Sequence, residues 1–295
     1  MEKVAILIPC YNEELTIEKV IKDFKKQLPK ATIYVYDNNS KDNTALIAER
    51  AGGVVVFEHN QGKGNVVRSM FRDIDADIYV MVDGDDTYPA DEVNKLIDGI
   101  KEGYDMVIGD RLSSTYYLEN KRPFHNFGNN LVKWLLNVGF KTDIKDVMTG
   151  YRAFSKKFVK TISIMSPGFQ IETELTITSL VYRYNVKNIP IQYRDRPEGS
   201  ESKLNTFSDG LKVLMTLANM FKDYRPLWFF SILSMLLLVI TVICGLVLTN
   251  KIVVYFFILI IALLLMLGII LDHQMNIDRK NHELYVLNWV KNNEK

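Results

Sequence analysis

Two kinds of hydrophobic spacing alternate along the first part of the chain. Val4 to Ile8 is an unbroken apolar run, the pattern of a strand buried on both faces. Leu15, Val20, Ile21, Phe24 and Leu28 then recur at helical spacing. Ile33–Tyr36, Val54–Phe57, Ile78–Val82 and Met106–Ile108 read as further strands. Between them lie helical stretches over Thr44–Arg50, stopped by Gly52 and Gly53, and over Asp91–Gly103. This order predicts an α/β fold, an open and mostly parallel sheet with helices on both faces. In such sheets the ligand site lies beyond the carboxyl ends of the strands.

The pattern changes after residue 206. Leu211, Val213, Leu214, Leu217, Ala218 and Phe221 line one face of Phe207–Tyr224, with Lys212 and Lys222 flanking it. That predicts a helix at a bilayer surface, or one packed on the preceding domain. Phe124–Val138 is a second amphipathic stretch with the same two readings. Leu227–Leu248 holds 22 residues without a charge, and Ile252–Leu271 holds 20. At about 1.5 Å per residue each spans roughly 30 Å, the thickness of a hydrocarbon core. Thr249, Asn250 and Lys251 leave room for a tight hairpin alone. Lys222, Arg225, Arg279 and Lys280 flank its outer ends, which assigns both termini to the cytoplasm. Two core helices of a soluble protein are the competing reading, and helices apolar all round are unusual in so small a domain. The expected organisation is a globular domain over 1–206, an interfacial helix over 207–225, a transmembrane hairpin over 226–272 and a cytoplasmic tail over 273–295.

Composition narrows the function. The chain has 295 residues, 48% hydrophobic and 24% charged, with 36 basic and 35 acidic side chains. A net charge of +1 argues against nucleic acid as a partner. Cys10 and Cys244 are too few for a disulfide scaffold or a zinc module. Val4–Pro9 is too short for the apolar core of a secretory leader. His125, His273 and His282 lack metal-ligand spacing, while His59 lies close to the expected site.

Polar residues gather where strands end. The four segments are Pro9-Cys10-Tyr11-Asn12-Glu13, Asp37-Asn38-Asn39-Ser40, His59-Asn60-Gln61-Gly62-Lys63-Gly64 and Asp83-Gly84-Asp85-Asp86. Three carboxylates within four residues repel one another unless a cation sits among them. Hard oxygen donors select Mg²⁺ or Mn²⁺. A solvated acidic turn is the plain alternative, and the convergence of four strand ends weighs against it. The glycine loops of dinucleotide and P-loop sites are absent.

Together these segments resemble the ordered motifs of family 2 glycosyltransferases with the GT-A fold. Downstream, Gly109-Asp110-Arg111, Asp146 to Arg152, Phe169 to Glu174 and Arg196 to Lys203 resemble its polyprenyl-phosphate branch, the dolichol-phosphate mannose synthases and bacterial undecaprenyl-phosphate glucosyltransferases. The resemblance spans residues 4–210. It implies that Pro9, Tyr11, Glu13 and Asp37 hold the base and ribose of a nucleotide sugar and that Lys63 approaches the nucleotide. Asp83 and Asp85 would be the metal-binding DxD pair, Asp85 the main ligand. Arg111, Arg122, Arg196 and Lys203 would bind donor and acceptor phosphates, with Asp146 near the sugar. Two departures stand out. Thr87 takes the place of a glutamine in dolichol-type enzymes, and the spacing from Arg196 to Ser202-Lys203 is one residue longer.

The resulting expectation is an inverting, metal-dependent hexosyltransferase with a membrane anchor. It would move one sugar from a nucleotide sugar, UDP-linked rather than GDP-linked, to polyprenyl phosphate at the cytoplasmic face. Relatives imply a homo-oligomer, a tetramer among the options. Rival readings are a membrane glycosyltransferase with a polysaccharide or glycolipid acceptor, a non-catalytic nucleotide-sugar-binding subunit, and a soluble nucleotidyltransferase. The Gln-x-x-Arg-Trp motif of processive synthases is absent, and the hairpin disfavours the nucleotidyltransferase.

Overall fold

The computed structural model describes residues 2–113, 123–197, 199, 206–248 and 251–293. The chain divides into two compact units, Met1–Val213 with Trp289–Lys295, and Leu214–Asn288.

In the first unit seven strands form one sheet: β1 (Val4–Cys10), β2 (Thr32–Asp37), β3 (Val54–Phe57), β4 (Ile78–Met81), β5 (Met106–Asp110), β6 (Arg152–Ser155) and β7 (Val186–Pro190). Their order is β3-β2-β1-β4-β6-β5-β7. β1 to β4 pair in parallel, as do β5 and β7, whereas β6 runs antiparallel between β4 and β5. The helices that cover the sheet are α1 (Ile17–Gln27), α2 (Thr44–Arg50), α3 (Lys63–Asp73), α4 (Val93–Lys101), α5 (Pro123–Phe140), α6 (Lys156–Thr161) and α7 (Ile171–Val181). The expected mostly parallel sheet is present; β6 and β7, with α3, α6 and α7, are elements that hydrophobic spacing did not announce.

Alternation along the strands feeds two cores. Ile6, Ile8, Val35, Val80 and Val82 pack with Ile17, Val20, Ile21 and Phe24 of α1, all at most 3% exposed. On alternate positions Tyr79 and Phe154 both meet Phe71, and Phe154 stacks on Phe158. Each fully buried large apolar side chain contributes about 1.5–3 kcal/mol, so the strands are held rigidly up to their polar ends. In α5 one stripe, Val132, Leu136 and Phe140, is buried, while Trp134 and Val138 of the same helix are exposed.

The second unit is built on α8 (Thr206–Tyr224, which crosses the boundary), α9 (Pro226–Leu248) and α10 (Lys251–Asn293). Two of these helices, over Pro226–Leu246 and Lys251–Asn293, are long and apolar enough to cross a membrane, with mean hydropathy 2.7 and 3.2. Gly245 faces Val254 and Gly268 faces Phe230, so α9 and α10 form an antiparallel hairpin that closes on small residues. Arg279 donates to the Tyr224 carbonyl at 2.8 Å near its outer end. Leu246 and Ile252 are 79% and 78% exposed, and Met235, Leu236, Phe256 and Ile270 are also bare. A surface this apolar is not one that water tolerates. The stretch expected as a tail is helical to Asn293, a direct continuation of α10.

Candidate active site

The site is built where strands end. At the end of β1, the Asn38 N–H donates to the Cys10 carbonyl at 2.9 Å. The Asn38 amide then donates to the carbonyls of Glu58 (2.8 Å) and Asn60 (2.9 Å) and accepts from the Gly62 N–H (2.6 Å). One side chain thus ties the segment after β2 to the segment that enters α3. The Thr16 hydroxyl donates to the Gly84 carbonyl at 2.7 Å, tying the start of α1 to the loop after β4 in the same way. Asn12, Asn39 and Asp86 each follow a strand with φ of 54°, 65° and 59°. Asn and Asp are the side chains that bear this left-handed conformation most readily, which is why the turns need no glycine.

Cys10 lies beneath these turns. Burial pushes its thiol well above the ordinary value, and the charges of Glu13, Asp37, Asp83 and Asp85 push it further in that order. The charges of Glu13, Asp37, Asp83 and Asp85, which lie at or just after the ends of three different strands, are thus all felt at Cys10. Asp37 is 3% exposed; one of its oxygens accepts from the Ser40 N–H at 3.2 Å, and the other has no protein partner. Pro9, Tyr11 and Glu13 line the end of β1 half-buried.

The acid pair is matched by basic side chains. Lys63 Nζ, at the start of α3, lies 2.5 Å from Asp83 and 2.7 Å from Glu172 of α7. Burial disfavours the Lys63 ammonium, but the charges of Asp83 and Glu172 outweigh it and hold the amine well above its ordinary range. Arg196 Nη2 lies 2.5 Å from Asp85 Oδ2. Thr87 gives Asp85 Oδ1 its hydroxyl at 2.6 Å and its N–H at 3.2 Å. The position that departs from dolichol-type enzymes is thus spent on orienting the aspartate. Burial first, and then Asp83, raise the Asp85 carboxyl above the ordinary aspartate value, against the pull of Arg196 and Thr87. The Arg194 N–H donates to the Thr87 carbonyl at 2.9 Å, which pins the segment carrying Arg196 to the loop after β4.

A third pair lies beside these. Arg111, at the end of β5, grips Asp146 with Nε (2.8 Å) and Nη2 (3.1 Å), and its own N–H also donates to that carboxylate (3.2 Å). The guanidinium packs on the rings of Tyr88 (6.0 Å) and Tyr193 (5.4 Å). The Gly150 N–H donates to the Tyr88 hydroxyl at 2.9 Å. Beneath, Arg152 is fully buried and donates to the carbonyls of Thr149 (3.0 Å) and Val147 (2.6 Å) and to the Thr176 hydroxyl (3.0 Å). Burial lowers its guanidinium to about 10, so it stays charged at neutral pH. Arg152 therefore fastens the Asp146–Gly150 turn to α7.

The expected residues Pro9, Tyr11, Glu13, Asp37, Lys63, Asp83, Asp85, Arg111, Asp146 and Arg196 all lie in or beside this cluster. Arg122 and Lys203 lie outside the described residues. Glu172, Tyr88, Tyr193 and Arg152 escaped the sequence reading of roles, because nothing in local spacing links them to Lys63, Arg111 or the Asp146 turn. Glu172 stands inside a motif that carried the resemblance, and that was its one signal. The donor set fits a hard divalent cation in part. Among the described residues no three His, Cys, Asp or Glu side chains gather as a complete metal cage. Two carboxylates, Asp83 partly exposed and Asp85 buried, match the habit of Mg²⁺ of using one or two carboxylates and completing its shell with phosphate and water.

Comparison with known proteins gives the class. The family model described as Glycosyl transferase family 2 matches residues 5–163. The chain belongs to that family. Glycosyltransferase AglJ of Haloferax volcanii is 35% identical over 78% of this chain and 76% of its own length. A dolichyl-phosphate hexose transferase of the same organism is 30% identical over 72% of this chain and 91% of its own. In structure, glucosyl-3-phosphoglycerate synthase of Mycobacterium tuberculosis, solved with Mn²⁺ and UDP among other ligands, superposes with a TM-score of 0.61 at 21% identity. The match covers 74% of this chain and 80% of that one. That likeness fixes the GT-A fold.

Proposed function

We propose that this glycosyltransferase moves one hexose from a UDP-sugar to polyprenyl phosphate at the cytoplasmic face of the membrane, with inversion and with Mg²⁺ or Mn²⁺. The observation that carries the reading is the acid pair Asp83/Asp85 covered by Lys63 and Arg196, in a chain that ends in two apolar helices. Such a site receives a diphosphate with its cation, and such a chain meets a lipid acceptor. Relatives named for dolichyl-phosphate hexose transfer in Haloferax volcanii and for dolichol-phosphate mannose transfer in Pyrococcus furiosus support the acceptor. The neighbour solved with UDP-glucose supports the donor.

The acceptor phosphate is an anion at neutral pH, so its oxygen attacks the anomeric carbon without a base. The C–O bond to the diphosphate breaks and the nucleoside diphosphate leaves. When bound, the divalent cation neutralises charge that develops on that leaving group. Asp83 and Asp85 would hold it. Arg196, already beside Asp85, is placed for a phosphate, and arginine's two parallel donors suit that geometry. Asp146 has its oxygens committed to Arg111, so it acts as a positioning carboxylate near the sugar. Asp37, with one buried oxygen lacking a protein partner, is suited to a ribose or base donor. Exposed Trp134 and Val138 on α5 suit headgroups at the lipid entrance.

The test is transfer from a panel of radiolabelled UDP- and GDP-sugars to undecaprenyl phosphate in detergent, with Mn²⁺, Mg²⁺ or EDTA, beside Asp85→Ala. One UDP-sugar should give a chloroform-soluble product that EDTA and Asp85→Ala abolish. Donor binding without any lipid product overturns the polyprenyl acceptor.

A further inference from the structure

Lys63 serves two carboxylates that differ in kind. Asp83 belongs to the acid pair and its side chain is 27% exposed. Glu172 is buried, 6% exposed, on a helix whose other polar side chains are turned into the domain. The two lie 89 residues apart in sequence, so Lys63 joins them by tertiary structure alone. A cation approaching Asp83 meets the ammonium already on that carboxylate's Oδ1, and like charges cannot share one partly buried carboxylate cheaply. Glu172 cannot do without a countercharge, because an unpaired buried carboxylate is strongly unfavourable. The ammonium therefore has somewhere to stay when Asp83 is claimed.

We infer that Glu172 is a positioning residue: it docks Lys63 and thereby releases Asp83 to the incoming divalent cation. The inference rests on reading the acid pair as the cation's ligands. It gives Lys63 two settings, bridging Asp83 and Glu172 as in this structure, and held by Glu172 alone once the cation has arrived. In the second setting the ammonium remains at the start of α3, close to the place a diphosphate would take. Glu172 also stands in the first turn of α7, where an acid is favourable to any helix. The contact with Lys63 across 109 residues goes beyond that bland role.

The experiment is a Mn²⁺ titration of the full-length protein in detergent, reading free Mn²⁺ by electron paramagnetic resonance, with and without UDP. Four proteins are compared with wild type: Lys63→Met, Glu172→Gln, Glu172→Asp and the Lys63→Met/Glu172→Gln double variant. Without UDP, Lys63→Met should tighten Mn²⁺ binding about tenfold, because the competing charge is gone. Glu172→Gln should weaken it by a similar factor, because Lys63 then has Asp83 as its remaining partner. Glu172→Asp should restore part of the loss. In the Lys63→Met background Glu172→Gln should change nothing further, the signature of a residue acting through another. With UDP, Lys63→Met should bind the nucleotide more weakly. A Glu172→Gln loss that persists without Lys63 makes Glu172 merely structural and overturns the inference. So does a Lys63→Met protein that binds Mn²⁺ no better than wild type, or a Glu172→Gln protein within twofold of wild type. Thermal melts of each variant confirm that a folded protein is being read. Sugar transfer does not enter the readout: expected Mn²⁺ behaviour without lipid product counts against the polyprenyl acceptor and leaves the dock standing.

Discussion

Gly150 has no room for a side chain. A Cβ there would lie 2.4 Å from Asp83 Oδ2, so Gly150→Ala turns the Asp83 carboxylate away. Gly150→Ala is expected to keep its circular dichroism spectrum and to bind Mn²⁺-UDP more weakly in calorimetry. Unchanged binding would remove Asp83 from the cation's ligands. Asp85 shows the opposite tension. Its carboxyl is raised in the folded protein, so the fold holds that proton more tightly than the unfolded chain does. The resulting stability is present at low pH and is lost as pH rises through the raised value. Asp85→Asn should therefore melt above wild type at pH 7 while losing transfer. The gap should close as pH falls toward the ordinary aspartate value of 3.8. A lower melting temperature for Asp85→Asn at pH 7 counts against a strained aspartate.

At the scale of elements, the Arg111–Asp146 pair joins the end of β5 to the turn before β6. Both side chains are at least nine-tenths buried. Removing one partner of such a pair costs about 3–5 kcal/mol, whereas replacing both with apolar groups is often neutral. Arg111→Met should lower unfolding free energy by that amount in urea titrations. Arg111→Met/Asp146→Leu should recover most of the stability and none of the transfer. If the double variant is no more stable than the single one, the pair is not the joint. Arg152 explains why β6 was hard to foresee. A fully buried arginine opens the strand, and hydrophobic alternation has no place for it. It is stable there because carbonyls and a hydroxyl from the 147–149 turn and α7 receive its donors, partners that local spacing does not reveal.

For the whole molecule, two long apolar helices follow a polar-rimmed α/β domain. The protein should remain in the membrane pellet after alkaline carbonate extraction, and detergent should release it. Release by carbonate alone would mean that these helices are covered by protein rather than lipid.

The chain by itself determined the parallel βαβα order, because buried strands and amphipathic helices write different periods into the sequence. It also determined the acidic end of β4 and the apolar hairpin, since both are contiguous segments. Tertiary structure alone decided what each charge does. Lys63 bridges Asp83 and Glu172, Arg196 covers Asp85, and Arg111 is committed to Asp146 between two tyrosines. These partners are separated by tens of residues or more, and a charge's role depends on which opposite charge the fold brings within about 3 Å in a low-dielectric cleft.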